Sequence, residues 1–171
     1  MRHRAAAALL AAALAAGCAT PPAVPSVSGR LSLQVAATAA DPARGFNAAF
    51  ELRGDAEAGE LRLSTPLGPQ VAAARWSPGE VRLETGEGER RYGSLEALAA
   101  DALGEPVPLQ ALPHWLRGRP WPGAPAPATD AGFEQLGWQL DLSRRAEGFI
   151  IAVRARPPAV TLRIRLDAPP T

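Results

Sequence analysis

Residues 46–64 read FNAAFELRGDAEAGELRLS, and this stretch predicts two antiparallel β-strands joined by a turn. Apolar side chains occur at every second position on both sides of that turn: Phe46, Ala48, Phe50, Leu52, Leu61 and Leu63. Mostly polar residues fill the positions between them, which is the pattern of a strand with one buried face. Glycines bound the polar segment 54–59, so a turn there would place the two strands side by side.

Similar alternation predicts further strands on both sides of this hairpin. They cover residues 31–35, 71–76, 81–84, 90–92, 133–142, 149–154 and 160–167. Turn sequences such as Ser77-Pro78-Gly79 separate them by short intervals. Short connections favour antiparallel pairing, because parallel strands need long crossovers.

The spacing of apolar residues changes after Gly93 and predicts two short helices. Ser94 is a good N-cap residue, and leucines at helical spacing follow it until Gly104. A second helical segment is predicted over residues 109–116, where Pro113 indicates either a kink or a late start. The predicted order is therefore strands, two short helices, and strands again.

This order predicts a mainly β fold in which a strongly curved antiparallel sheet is half closed into a barrel, with helices across its mouth. A sheet with one apolar face must cover that face, and the two helices are the only cover available. Periodicity does not distinguish a packed interior from a hollow one, and a solid core is the commoner arrangement.

The N-terminus predicts a signal peptide over residues 1–17. A basic start at residues 2–4 precedes an apolar run at 5–16, which is too short to span a bilayer. Small residues then lead to Cys18, which resembles a lipobox. The alternative is an ordinary secretory signal followed by an incidental cysteine. Ala19, rather than Asp, favours the outer membrane over the inner one.

Cys18 is the only cysteine of the chain, so it has no internal disulfide partner. Acylation explains a lone thiol in an exported protein, and several acyl chains would hold the protein firmly at a membrane. Residues 18–27 are proline-rich and predict an extended tether, and residues 28–168 are expected to form one domain.

Little in the sequence suggests catalysis or a metal. The formal net charge is +1, which gives no electrostatic argument for nucleic-acid binding. Only two histidines are present, and His114 has no cysteine partner for a zinc site. A Gly-x-Ser-x-Gly motif is absent. We therefore expect a binding or transport protein that is not an enzyme and uses no cofactor and no metal.

Four segments resemble the LolB family in order and spacing. They are residues 29–33 (GRLSL), 59–68 (GELRLSTPLG), 109–118 (LQALPHWLRG) and 133–138 (FEQLGW). The resemblance covers essentially the whole mature chain. It implies an incomplete antiparallel barrel around a hydrophobic cavity, with helices as a lid.

The resemblance also implies a function. LolB is an outer-membrane lipoprotein that faces the periplasm, accepts acylated lipoproteins from the carrier LolA, and inserts them into the outer-membrane lipid. We expect the same partners here, and a monomer. The alternatives are a structural or partner-binding outer-membrane lipoprotein with a solid core and, less well supported, a lipid-modifying hydrolase.

Two sets of site residues follow. The lipid-binding cavity is predicted to be lined by Phe46, Phe50, Leu52, Leu61, Leu63, Trp76, Leu83, Trp115, Trp138, Leu140 and Ile151, each of which could equally be ordinary core. Pro66, Leu67 and Gly68 form a predicted turn, and in LolB the matching leucine helps to pass cargo into the membrane. The alternative for Leu67 is a side chain folded under its own turn.

Overall fold

The computed structural model describes residues 26–168, so the predicted signal peptide, Cys18 and most of the predicted tether lie outside the described residues. The strands are β1 (Ser26–Val35), β2 (Arg44–Gly54), β3 (Gly59–Ser64), β4 (Gln70–Ser77), β5 (Glu80–Thr85), β6 (Gly88–Tyr92), β7 (Ala128–Thr129), β8 (Gly132–Gln135), β9 (Trp138–Asp141), β10 (Phe149–Arg154) and β11 (Val160–Leu166). The helices are α1 (Leu95–Leu103) and α2 (Leu112–Trp115), and a 3₁₀ turn covers Arg145–Glu147.

All eleven strands belong to one antiparallel sheet with the order β6-β5-β4-β3-β2-β1-β11-β10-β9-β8-β7. Neighbours in the sheet are neighbours in sequence except at β1 and β11, which join the first six strands to the last five. The edge strands β6 and β7 do not pair with each other. The sheet is therefore an open half-barrel with short helices, and the predicted fold class is confirmed.

The predicted hairpin at residues 46–64 is formed by β2 and β3, which pair from Ala49 opposite Ser64 to Gly54 opposite Gly59. In the turn, the Asp55 carboxylate accepts hydrogen bonds from the backbone N–H groups of Glu57 and Ala58. The hydrogen bonds from Ala58 and Glu57 keep the pKa of the Asp55 carboxyl below its usual value.

One face of the sheet, called the inner face, carries the apolar side chains. Residues 95–116, called the lid, comprise α1, α2 and the segment between them. Lid residues such as Leu98, Leu112 and Trp115 belong to the same buried cluster as Phe50 and Leu162 of the inner face. The lid therefore supplies the cover that an apolar sheet face requires.

The predicted helix boundaries are confirmed for α1 and shortened for α2. Ser94 caps α1 by accepting a hydrogen bond from the backbone N–H of Ala97, and Gly104 ends it with a φ of 67°. The second helix begins only at Leu112, with Pro113 in its first turn, and residues 109–111 form turns instead. A late start is the outcome that proline favours, because its ring is tolerated only in the first helical turn.

The single strand predicted over residues 133–142 is wrong. Residues 132–141 form two strands, β8 and β9, around a two-residue turn in which Leu136 and Gly137 have φ values of 54° and 77°. Leucine is unusual at a positive φ, so the sequence does not signal a hairpin turn at this position. Within residues 26–168, the helices are all too short or too polar to cross a bilayer.

Candidate functional site

Two adjoining apolar spaces lie between the inner face and the lid. The smaller space, of about 40 Å³, is bounded by β1, β2, β3, β11 and the lid. The larger space, of about 270 Å³, extends towards β4, β5 and α1. Both spaces are lined by Phe46, Leu61, Leu63, Leu103 and Leu109, so these five side chains form the boundary between them.

The smaller space, of about 40 Å³, has room for no more than a few water molecules, since one water needs about 10–15 Å³ of such a cavity. Side chains therefore fill most of the interior beneath the lid. A long acyl chain would need more room than the smaller space gives, so the lid and its leucines would have to move outwards. The interior is a packed core beside an apolar recess. The sequence left open whether the interior is packed or hollow, and the structure combines the two.

Most of the predicted cavity residues share the inner face. The smaller space is lined by Phe46, Phe50, Leu61 and Leu63. The larger space is lined by Leu83 together with Phe46, Leu61 and Leu63. Five others lie in the buried cluster without lining either space: Leu52, Trp76, Trp115, Trp138 and Leu140. These five are structural core in the conformation described.

Ile151 is misplaced by the sequence prediction. It lies opposite Arg163 on the outer face of the sheet, whereas its neighbour Ile150 is buried opposite Ile164 on the inner face. Residues 149–153 are all apolar, so alternation cannot show which set faces inwards. The inner face is therefore formed by Ile150 and not by Ile151.

Several lining residues were not predicted. They come from β1, β11 and the lid: Leu31, Leu33, Leu103, Val107, Leu109, Leu112, Leu116, Leu162 and Ile164. The signal was present, since Leu31, Leu33, Leu162 and Ile164 alternate in their strands. The contribution of the lid could not be assigned without knowing how the helices lie across the sheet.

A buried ion pair ties the lid to the sheet. The Glu105 carboxylate, just after α1, accepts hydrogen bonds from the guanidinium groups of Arg154 in β10 and Arg44 in β2. Glu105 and Arg154 are both buried, whereas Arg44 is partly exposed. Arg154 also donates to the carbonyl oxygen of Pro158, and its guanidinium lies 5.8 Å from the centre of the Trp138 ring.

A second, more exposed connection joins α1 to the edge strand β6. Asp101 accepts a hydrogen bond of 2.6 Å from the Tyr92 hydroxyl and forms an ion pair of 2.9 Å with Arg90. Burial, together with the hydrogen bond to Asp101, raises the pKa of the Tyr92 hydroxyl. These contacts hold α1 and the residues that follow it to the sheet at two separate points.

Gln135 organises the proline-rich segment that follows the lid. Its side-chain oxygen accepts from the Trp115 indole N–H and from the backbone N–H of Trp121, each at 2.9 Å. Its side-chain nitrogen donates to the carbonyl oxygens of Trp121 and Ala124 at 2.7 and 2.9 Å. This fully buried amide thereby joins β8, α2 and the segment around residues 121–124.

We expect Gln135→Met to lower the free energy of unfolding by about 3 kcal/mol, because buried partners of the amide lose their hydrogen bonds while the volume stays similar. Urea unfolding monitored by tryptophan fluorescence measures this change. Gln139→Met, at an exposed position of β9, is the control and should stay within about 0.5 kcal/mol of the original chain. Equal effects of the two substitutions would contradict a special role for Gln135.

The loop at residues 65–69, called the Leu67 loop, exposes an apolar side chain. The backbone N–H of Gly68 donates to the Thr65 carbonyl at 3.0 Å, and Gly68 has a φ of 115°. Pro66 therefore occupies the first central position of the predicted turn. The Leu67 side chain is 95% exposed, so it is not folded under its own turn. The Leu67 side chain is therefore accessible to a membrane or a partner.

The spatial arrangement agrees with the comparison of the chain with known proteins. A sequence model of the family described as "Outer membrane lipoprotein LolB" matches residues 26–167. The chain belongs to the LolB family.

Three relatives named "Outer-membrane lipoprotein LolB" illustrate the similarity. The protein from Bordetella petrii is 32% identical over 92% of this chain and 88% of its own length. The protein from Chromobacterium violaceum is 35% identical over 71% of this chain and 65% of its own length. The protein from Bordetella pertussis is 38% identical over 68% of this chain and 64% of its own length.

Two glycines in the segments that resemble LolB are required by close approaches. A Cβ atom on Gly59 would lie 2.6 Å from the Trp76 ring, and a Cβ atom on Gly29 would lie 2.2 Å from the Arg165 carbonyl oxygen. Any larger residue would push these strands and rings apart. The two glycines therefore allow the close approach of β1 to β11 and of β3 to the Trp76 ring.

The chemistry available at the LolB-like site is that of apolar enclosure. In residues 26–168, groups of three or more metal-binding side chains are not found. The lining of the larger space is apolar except for Thr85 and Arg90 at its edge. Such a surface binds hydrocarbon chains through burial and gives few hydrogen bonds for a polar ligand.

Proposed function

We propose that this chain is an outer-membrane lipoprotein that accepts acylated lipoproteins from the periplasmic carrier LolA and inserts them into the outer membrane. The observation that supports the proposal most strongly is the apolar recess of about 270 Å³ beneath the lid, together with the exposed Leu67 in the loop that joins β3 and β4. The recess would receive the acyl chains, and the Leu67 loop, through Pro66, Leu67 and Gly68, would meet the destination bilayer.

The energetics of acyl chains explain why a receiver needs such a recess. Burial of each CH₂ group contributes about 0.8 kcal/mol, so exposing several long chains to water costs on the order of tens of kcal/mol. A lipoprotein therefore cannot diffuse freely to its membrane. The carrier and this receiver would have to meet at their openings, so that the chains pass from one apolar surface to another.

The direction of transfer would be set by affinity. No nucleotide hydrolysis is part of the proposal, so each step must run downhill from the carrier to the receiver and from there to the bilayer. Opening the lid costs the contacts of the Glu105 ion pair and of the Asp101 connection. Such a cost limits how tightly acyl chains are held, which would favour their later release into lipid.

The proposed anchor is the acylated Cys18, which would keep a monomeric receiver at the periplasmic face of the outer membrane. Its role would be to bring the Leu67 loop close to the bilayer, while capture of cargo depends on the inner face. In this proposal the protein acts by binding, without catalysis, metal or cofactor.

The test is a titration of the soluble domain, in which Cys18 and the residues before it are removed, with a fluorescent acylated peptide. We expect saturable binding that competes with a second acylated peptide. No saturable binding by the folded domain would favour the alternative, a structural or partner-binding outer-membrane lipoprotein without a lipid cavity.

The position of the bound chain is tested by Leu63→Asn, at a half-buried residue that lines both apolar spaces. A polar amide covered by an acyl chain without a hydrogen-bond partner costs about 1–3 kcal/mol, which weakens binding by between roughly fivefold and a hundredfold. The matched control is Leu136→Asn, at the turn between β8 and β9, where asparagine tolerates the positive φ. If Leu136→Asn weakens binding as much as Leu63→Asn does, the recess is not the binding site.

A further inference from the structure

The outer face of the sheet contains a groove of about 460 Å³ that lies opposite the lid. It crosses β2, β1, β11 and β10, with Pro66 of the Leu67 loop at one side and Phe149 at the other. Ala49, Phe149 and Ile151 contribute apolar surface between these sides. This depression is called the outer groove, and the Leu67 loop forms part of its wall.

Three exposed arginines face the outer groove from two adjacent strands. Arg30 of β1 lies opposite Arg165 of β11, and Arg163 lies opposite Ser32 one step further along the same face. Arg163 donates a hydrogen bond of 2.8 Å to the side-chain oxygen of Gln34, which carries no charge. The Arg165 guanidinium lies 5.6 Å from the centre of the Phe149 ring.

These three guanidinium groups form no ion pair with any carboxylate of residues 26–168. Asp167 borders Arg30 and Arg165 and is the one acidic residue beside them in the described part of the chain, but it forms no ion pair with either and accepts a hydrogen bond of 2.8 Å from the Ser28 hydroxyl. Arg144 also lines the groove, and Glu147 neutralises it at 2.6 Å.

The missing ion pairs contrast with the rest of the sheet. In the described part of the chain, the other eight arginines of the strands all form ion pairs: Arg44, Arg53, Arg62, Arg75, Arg82, Arg90, Arg91 and Arg154. Outside the strands of residues 26–168, Arg144 is paired, whereas Arg117, Arg119, Arg145 and Arg156 form no ion pair. Like charges directly opposite each other on adjacent strands, such as Arg30 and Arg165, destabilise a sheet. Their charge is compensated when an external anion binds between them.

We propose that the outer groove binds the phosphate headgroup of an anionic phospholipid in the bilayer that the Leu67 loop approaches. The three arginines would contact the phosphate, and the surface of Ala49, Phe149 and Ile151 would contact the adjoining glycerol and first methylene groups. The inference rests on the proposed function only in requiring that the Leu67 loop meets a bilayer.

A membrane lipid fits the groove better than an acidic protein segment for two reasons. The groove surface is mainly apolar between the charged groups, which matches a molecule that joins a phosphate to hydrocarbon. The second reason is proximity. Ser26, where β1 begins, lies eight residues after Cys18, and eight residues reach at most about 29 Å when fully extended. An acylated Cys18 would therefore keep the start of β1 within that distance of the lipid surface, and Arg30, four residues further along, within about 43 Å.

The experiment measures binding of the soluble domain to vesicles of phosphatidylcholine, with and without phosphatidylglycerol as one lipid in four. The groove variant is Arg30→Gln/Arg163→Gln/Arg165→Gln. The matched control variant is Arg91→Gln/Arg119→Gln/Arg156→Gln, which removes the same charge from exposed arginines that do not line the groove. Unfolding curves verify that both variants are folded.

We expect the original domain to prefer vesicles that contain phosphatidylglycerol. At roughly fivefold for each arginine near an anionic surface, the groove variant should lose this binding by about a hundredfold, whereas the control variant should lose only a few-fold at physiological salt. Equal losses in the two variants would overturn the proposal, since the binding would then reflect net charge alone. Equal binding to both kinds of vesicle would also overturn it.

Two further measurements separate the possible sources of the anion and the two proposals. Inorganic phosphate should not displace the domain from vesicles at matched ionic strength, and efficient displacement would indicate a site for free phosphate and overturn the lipid assignment.

The groove variant should bind the acylated peptide as the original domain does, because the inner face is unchanged. Loss of vesicle binding with intact peptide binding supports the groove. If the original domain does not bind the acylated peptide, the proposed function is contradicted, whereas the result on vesicle binding still stands.

Discussion

Leu67→Glu is expected to abolish delivery of lipoproteins into the bilayer while leaving the fold and the capture of acylated cargo unchanged. The side chain is 95% exposed in a turn that Pro66 and Gly68 define, so its replacement removes no core contact. An ionised carboxylate in place of leucine inside hydrocarbon costs on the order of 3 kcal/mol, which corresponds to about a hundredfold. Insertion by the Leu67 loop would then be strongly disfavoured at neutral pH.

The measurement is transfer of a labelled lipoprotein from its LolA complex to vesicles in a reconstituted assay. Leu67→Phe should retain transfer, because it keeps a large apolar side chain at the tip. Leu136→Glu is the control for a new charge at an exposed leucine, since Leu136 is 43% exposed in the turn between β8 and β9. Normal transfer by Leu67→Glu would show that the loop does not enter the bilayer.

The strand pattern was predictable from sequence where alternation was regular. In residues 46–64 the alternating positions Phe46, Ala48, Phe50, Leu52, Leu61 and Leu63 face the interior, and Gly54 and Gly59 bound the turn, because neighbouring residues alone determine that pattern. The hairpin of β8 and β9 was missed because Leu136 adopts a positive φ that its residue type does not favour. There the sheet imposes the turn against local preference.

Some features of the candidate site were also predictable from the sequence, and others were not. The turn that carries Leu67 was predictable because it depends on four neighbouring residues, whereas the exposure of the leucine was left open until the structure showed it. The buried contacts of Gln135 and Glu105 were not predictable, since Glu105 and its partner Arg154 are 49 residues apart in sequence. Polar residues in an alternating or helical segment look like surface residues until the partners that bury them are known. Ile151 was misplaced because an entirely apolar strand has no polar residue to mark its outer face.

The Glu105–Arg154 ion pair provides the second large expected effect. Arg154→Met should lower the free energy of unfolding by about 3–5 kcal/mol, because it leaves the buried Glu105 carboxylate without its buried partner. In a domain of this size the expected fall in Tm is about 10 °C. Glu105→Gln should also destabilise, since Arg154 would then remain as a buried charge.

The double variant Glu105→Gln/Arg154→Met separates the ion pair from other roles of these residues. Removing both charges avoids an unpaired buried charge, so the double variant should be more stable than the sum of the two single effects predicts. Chemical denaturation followed by tryptophan fluorescence measures all three variants. Additive losses would show that the two side chains do not stabilise the lid as a pair.

The same variants test whether the ion pair restrains the lid. Arg154→Met should speed hydrogen exchange at lid amides such as that of Val107, which donates to the Glu105 carbonyl at 2.8 Å. Amides of β1 paired with β11 should exchange at rates set by global unfolding, after correction for the lower stability. A lid that opens more often should bind and release an acylated peptide faster. Uniform acceleration over the lid and the sheet would show that the ion pair stabilises the whole domain instead of holding the lid closed.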